Sequence, residues 1–224
     1  MANVTIIGGH GKVALLAEPK LVSASHTVNA VIRKEEQRAD IEEKGANPVV
    51  FDIQDASVSD IEKMLKETNT DVLVWSAGAG GGSKERTFAV DQDAAIRSME
   101  AAECAGVKRY VMVSYMGAGT GHQVDEDNGF FAYETAKAVA DAFLRDSDLD
   151  FTILGPGMLT LDEVSGIEIG GSPKNSETSR ELVAEVIVAT IADDSTVGKS
   201  IAFSNGSDAV ADALAAAPAK RNFK

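Results

Sequence analysis

The chain has 224 residues, 44% of them hydrophobic and 25% charged, a balance that suits a soluble globular fold and one large α/β core. Its formal charge of −14, from 35 acidic against 21 basic residues, sets up a field that repels phosphate backbones and anionic lipid, so nucleic-acid and membrane partners are not expected. A single cysteine, Cys104, excludes an internal disulfide and a cysteine-rich metal site, so no metal is expected and a reducing, cytoplasmic setting is.

The opening residues lack a basic leader and enter a glycine cluster after a short apolar run, so they read as a first strand over 4–7 rather than a signal peptide or membrane span. That strand runs into Val4-Thr5-Ile6-Ile7-Gly8-Gly9-His10-Gly11-Lys12-Val13-Ala14. Gly8 permits a tight turn, Gly11 lets backbone approach a pyrophosphate, and Ala14 lets the following helix press on the sheet, whose N-terminus favours an anion. Gly8, Gly9, His10, Gly11, Lys12 and Val13 are therefore the residues expected to touch a dinucleotide, with His10 read as a solvent-facing loop residue rather than a catalyst. The other reading of the glycines is a plain tight turn. The helix predicted over 12–23 contains Pro19, which removes a backbone donor and predicts a kink or an early end.

A second strand, over 28–32, ends in Arg33-Lys34. An NAD-selective site usually carries an acid there. Two cations instead suit the 2′-phosphate of NADP and make NAD the less favoured cofactor, although Glu35 and Glu36 blunt the potential. After a helix over 35–44, a strand over 48–51 leads to Asp52 and Ile53, where Asp52 either accepts a hydrogen bond from adenine or caps a turn. A helix over 58–67 precedes a strand over 72–76 that opens into Ala77-Gly78-Ala79-Gly80-Gly81-Gly82, small enough to leave room for ribose and pyrophosphate. The helix over 92–105 places Cys104 on what is expected to be a buried face.

A strand over 109–114 ends at Ser114, positioned to hydrogen-bond a substrate carbonyl. Residues 116–129 are glycine-rich, then acidic at Asp125, Glu126 and Asp127, and read either as a mobile flap over substrate or as a surface loop. The helix over 130–145 carries Tyr133 and Lys137 four apart on one face. A nearby ammonium stabilises a phenolate, so Lys137 is expected to tune Tyr133 for proton exchange and to hold a ribose. The alternative is an amphipathic helix with a snorkelling lysine. A strand over 151–154 is followed by residues 158–176, a second wall for substrate. A helix over 179–192 with a capping box of Thr178 and Glu181, a strand over 200–203 and a helix over 208–216 complete the chain. Alternating short strands and crossover helices give a single domain, 1–224, of the Rossmann-type doubly wound parallel α/β class with small C-terminal elements on the substrate side.

Taken together, the Gly8/Gly11/Ala14 turn, Arg33, Asp52, the strand end at 76–82, Arg109-Tyr110-Val111-Met112-Val113-Ser114, Tyr133/Lys137 and Phe151-Thr152-Ile153-Leu154-Gly155-Pro156-Gly157 resemble the atypical short-chain dehydrogenase/reductase family. Within it the resemblance is to the compact NAD(P)-binding branch of NmrA-like proteins and biliverdin/flavin reductases, often labelled epimerase/dehydratase. The resemblance implies Ser114, Tyr133 and Lys137 as the catalytic set, and cofactor contacts extending to Ala77, Gly78, Ala79, Pro156 and Gly157. Two departures stand out: Gly155 where relatives carry arginine, and Tyr115 where a second serine is usual. The expected activity is NADPH-dependent reduction of a small neutral carbonyl or quinone. A non-catalytic NADP(H)-binding redox sensor is the alternative, and oligomeric state is left open.

Overall fold

The computed structural model describes residues 1–80, 83–119, 124–163, 166–172 and 176–218. The elements run in the order β1 (Asn3–Ile7), α1 (Ala14–Ser23), β2 (Thr27–Ile32), α2 (Arg38–Glu43), β3 (Asn47–Val50), α3 (Val58–Glu67), β4 (Val72–Trp75), α4 (Lys84–Thr87), α5 (Ala95–Ala105), β5 (Arg109–Val113), α6 (Phe131–Asp146) and β6 (Asp150–Pro156). Then come β7 (Met158–Thr160), β8 (Ile167–Ile169), β9 (Glu177–Ser179), α7 (Arg180–Ala192), β10 (Lys199–Asn205) and α8 (Val210–Ala216). One sheet has the order β3-β2-β1-β4-β5-β6-β10-β8, parallel throughout except for β8, and a two-stranded sheet pairs β7 with β9. The chain leaves β1 toward β2 and β3, then crosses back to β4 on the other side of β1. Connections therefore diverge above the ends of β1 and β4, which is where doubly wound sheets form a ligand crevice.

Strand alternation explains the layers. Val4 and Ile6 face a core shared with Ala14, Ala17 and Leu21 of α1 and with Leu182, Val183 and Val186 of α7. Ile7, Leu73 and Trp75 face the other, with Ile61 and Leu65 of α3, Met99 of α5 and Ala140 and Leu144 of α6. Successive side chains point to opposite faces, so strands covered on both sides are mostly apolar, and buried polar exceptions such as Thr5, Asn29 and Thr152 are hydrogen-bonded.

Several boundaries differ from the sequence expectation for identifiable reasons. Helix α1 starts at Ala14 and runs through Pro19 to Ser23, so the proline does not end it. The cap of α7 is Ser179, whose hydroxyl accepts from the Leu182 amide at 3.1 Å, and not Thr178. The Thr178 hydroxyl is occupied elsewhere, accepting from Gly157 N at 2.8 Å and donating to Phe203 O at 3.2 Å. Cys104 is exposed rather than buried. The helix expected over 92–105 begins earlier, as α4, and passes through a π-helical stretch, Phe88–Ala94, before α5. Residues 116–118 are not a free flap: Met116 and Ala118 are buried, and the Met116 amide donates to Pro156 O at 2.8 Å. Residues 120–123 of that segment, 81–82 of the glycine run, 164–165 and 173–175 of the second wall, and 219 of the alanine-rich tail lie outside the described residues.

Glu18, inside α1, is fully buried, and its carboxyl oxygens meet no hydrogen-bond partner among the described residues. Burial pushes its carboxyl from 4.5 up to about 8, with Lys44 opposing. The folded state thus holds a proton that the unfolded chain gives up, so the contribution of Glu18 to stability is fully present below pH 4.5 and is lost as pH rises through about 8. Glu18→Gln keeps the shape without the charge. Thermal unfolding should show little difference from the parent at pH 5 and a stabilisation approaching roughly 4 kcal/mol at pH 9.

Candidate functional site

The turn after β1 is built so tightly that side chains are excluded. Gly8 has φ of +88°, and a Cβ there would lie 2.6 Å from the Cα and N of Ala77 at the end of β4. A Cβ on Gly9 would lie 2.6 Å from the Ala30 Cβ, and one on Gly11 would lie 3.0 Å from Gly8 O. The amides of Gly9 and Gly11 are committed to Val31 O and Gly8 O, each at 2.9 Å. Among the described residues, those of His10, Lys12 and Val13 donate to no backbone carbonyl, which leaves them available to an anion at the start of α1.

A cleft of about 250 Å³ opens beside this turn, lined by Gly8, His10 and Gly11, by Arg33 and Gln37, by Asp52, Ile53 and Gln54, by Ser76, Ala77 and Gly78, and by Arg86 and Val90. The ends of β1, β2, β3 and β4 therefore converge as the sequence suggests. Of the other expected cofactor residues, Gly9 and Val13 are buried within the turn, Lys12 and Lys34 are exposed away from the lining, and Ala79 is buried. Pro156 and Gly157 line a different hollow. Asp52 Oδ1 accepts from the Gln54 amide at 3.1 Å, closing a turn, and the residue lines the cleft. His10 Nε2 lies 2.7 Å from Asp40 Oδ2, which ties the glycine turn to α2. The cradle that a Cβ would fill, the amides at the head of α1 and the cation at the end of β2 fit a dinucleotide phosphate. Arg86 and Gln37 were missed because neither stands in a glycine or strand-end motif.

The second hollow, about 530 Å³, is mainly apolar and is lined by Ser114, Tyr115, Met116, Val124, Phe130, Tyr133, Pro156, Gly157, Met158 and Leu159. Ser114 and Tyr133 thus share one wall. Tyr133 packs against Tyr115 and Phe130 with ring centroids 5.5 and 5.2 Å away. Its phenol is pushed above the ordinary value of 10, first by burial and then by Asp91 and Asp141. The lowering expected from Lys137 is not among the causes acting on it, and the Lys137 ammonium donates to Val113 O at 2.9 Å. Tyr115 is also pushed upward, by burial and then by Glu134.

Beneath this wall lies a charged cluster that no sequence motif marked. Lys137 is fully buried between Asp91, in the π-helical stretch, and Asp141, one turn further along α6. Burial pushes Lys137 down and both acids up, while the opposite charges counteract these shifts. Asp91 Oδ2 accepts from the Ala79 amide at 2.9 Å, and Asp141 Oδ2 lies 2.7 Å from Ser114 Oγ. Near Gly155, where relatives are expected to carry arginine, the guanidinium lining the adjoining small hollow comes from Arg145 of α6.

Comparison with known proteins agrees with this geometry. Residues 8–194 match the family described as NAD(P)H-binding. The chain is 34% identical over 216 residues to the UPF0659 protein YMR090W of Saccharomyces cerevisiae, covering 92% of this chain and 94% of that one. Its fold is similar to that of a Bacillus halodurans protein provisionally described as an NAD-dependent epimerase/dehydratase, with a TM-score of 0.85, 30% identity and coverage of 96% and 99%. It is also similar to the oxidoreductase ylbE of Lactococcus lactis, with a TM-score of 0.80, 28% identity and 94% of each chain covered. No described helix is long and apolar enough to cross a membrane.

Proposed function

Because this chain belongs to the NAD(P)H-binding family, of atypical short-chain dehydrogenase/reductase type, we propose that it is an NADP(H)-preferring oxidoreductase that reduces a small, neutral carbonyl or quinone. The observation carrying this reading is a pair of spaces to which the ends of the neighbouring strands β4 and β5 contribute: a glycine-walled cleft with Arg33 at its β2 end, and an apolar hollow lined by Ser114 and Tyr133. The oxidoreductase description of the Lactococcus lactis protein supports it.

Gly8 and Gly11 admit the diphosphate, the free amides at the head of α1 hold it, and Arg33 pairs with the 2′-phosphate. Asp52 has a carboxylate oxygen left over from its turn to accept from adenine. The bound dinucleotide supplies reducing equivalents. Ser114 orients the substrate oxygen, and Tyr133, whose raised phenol stays protonated at neutral pH, gives that oxygen its proton. Lys137, whose ammonium is engaged with Val113 O, holds the buried charged cluster behind this wall rather than tuning the phenol. The apolar lining and the exposed Asp125, Glu126 and Asp127 beyond it disfavour an anionic substrate.

Oxidation of NADPH in the presence of a panel of aldehydes, ketones and quinones tests the activity. Tight cofactor binding with no turnover across the panel would favour the sensor instead. Cofactor choice has its own experiment: Arg33→Asp should weaken NADPH binding by about tenfold or more, the contribution of a charge-assisted pair, while leaving NADH nearly unchanged. Equal weakening of both coenzymes would remove Arg33 from phosphate recognition.

A further inference from the structure

Resting on the reductase reading, we propose that Asp141 is a positioning residue that keeps a proton at neutral pH and donates it to Ser114 Oγ, turning the Ser114 hydroxyl hydrogen into the substrate hollow. Ser114 Oγ and Asp141 Oδ2 are 2.7 Å apart, and both residues are buried. One proton lies between these oxygens, and its owner decides what Ser114 offers a substrate. An ionised Asp141 takes the serine hydrogen and leaves only lone pairs toward the hollow, which repel a carbonyl oxygen. A neutral Asp141 donates, and the serine hydrogen is released for that oxygen.

Charge counting favours the neutral form. The fully buried part of the cluster holds two acids, Asp91 and Asp141, and one cation, Lys137, so on complete ionisation the second negative charge is balanced only by partly exposed guanidinium groups, Arg145 at 3.9 Å from Asp141 and Arg86 toward Asp91. Asp91 accepts from the Ala79 amide, a group that can only donate, so it is suited to hold the charge. Asp141 meets a hydroxyl, which can accept as readily as donate. The second oxygen of each acid, Oδ1, is buried with no hydrogen-bond partner among the described residues, so the partner of Oδ2 is what separates them. The groups facing Asp141 are Ser114, Tyr110 and Tyr115 from β5 and its end, and Tyr133, Lys137 and Arg145 from α6. The Arg145 guanidinium stands 3.9 Å away, too far for a hydrogen bond, and the Lys137 ammonium is engaged with Val113 O. Burial raises the Asp141 carboxyl in the same direction.

Asp141→Asn separates proton from charge, because its amide NH₂ can donate to Ser114 as the neutral acid does. Turnover should stay within about threefold of the parent near pH 6 and lose the decline that the parent shows as pH rises. Asp141→Ala and Ser114→Ala should each lower turnover by about tenfold or more. A second readout needs no catalysis: the infrared difference between the parent and Asp141→Asn at pH 7 should contain a protonated-carboxyl band. That band persisting without turnover on any substrate would count against the reductase reading while supporting the proton on Asp141. An absent band overturns the proposal whatever the turnover, as does an Asp141→Asn profile that declines with pH like the parent's.

Discussion

Tyr133→Phe is expected to lower turnover by roughly 10²–10⁴-fold while NADPH affinity stays at the parental level, the loss typical of removing a positioned proton donor. The substitution isolates the hydroxyl. Tyr133 packs at a tilt against both Tyr115 and Phe130 in a three-ring cluster, so a phenyl ring fills the same space and the apolar wall survives. The phenol lies in the substrate hollow, whereas the glycine cleft has no Tyr133 in its lining, so the two spaces should respond independently. Steady-state rates and calorimetric titration measure both quantities on one preparation. Tyr115 is the built-in control, because it lines the same hollow and its ring centroid lies 5.5 Å from that of Tyr133. If Tyr115→Phe carries the loss and Tyr133→Phe does not, the donor is Tyr115.

The second large effect concerns the turn itself. Gly8→Ala places a Cβ 2.6 Å from the Ala77 backbone at a residue whose φ is +88°. Both chain segments there are backbone at the ends of central strands, so neither can yield as a flexible side chain would. NADPH affinity should fall by about a hundredfold or more, with a lowered Tm, because the β1 and β4 ends must separate to admit the methyl group. Gly106→Ala supplies the comparison. Gly106 also has positive φ, at +79°, yet nothing lies within 4 Å of its Cβ position. It should lose about 1 kcal/mol of stability from left-handed strain alone and keep its coenzyme affinity.

What could be read from the sequence divides along physical lines. The parallel strands were legible because burial on both faces demands mostly apolar runs, and the cofactor turn because Gly8, Gly11 and Ala14 answer local steric requirements. The places of Arg33 and Asp52 in the cleft lining followed from their positions at strand ends. Asp91 escaped notice because the expected helix began at Gln92, one residue too late, and the π-helical stretch rotates side chains away from ordinary helical spacing. Asp141 lies eight residues beyond Tyr133, and only the packing of α6 on β5 brings it to Ser114. The same packing turns Lys137 toward Val113 O, so a spacing rule that pairs tyrosine with lysine gives their shared face but not their hydrogen bonds. β7, β8 and β9 are three residues each and carry too little pattern to register. Cys104 shows the limit of residue-type preference, since it lies on the solvent side of α5.

Isothermal titration of the folded parent protein with NADPH and with NADH tests the central claim most directly, that the backbone amides following β1 bind a diphosphate and Arg33 selects its phosphorylated ribose. Saturable binding of NADPH, tighter than that of NADH, is the predicted result. A folded protein that takes up neither coenzyme would contradict it.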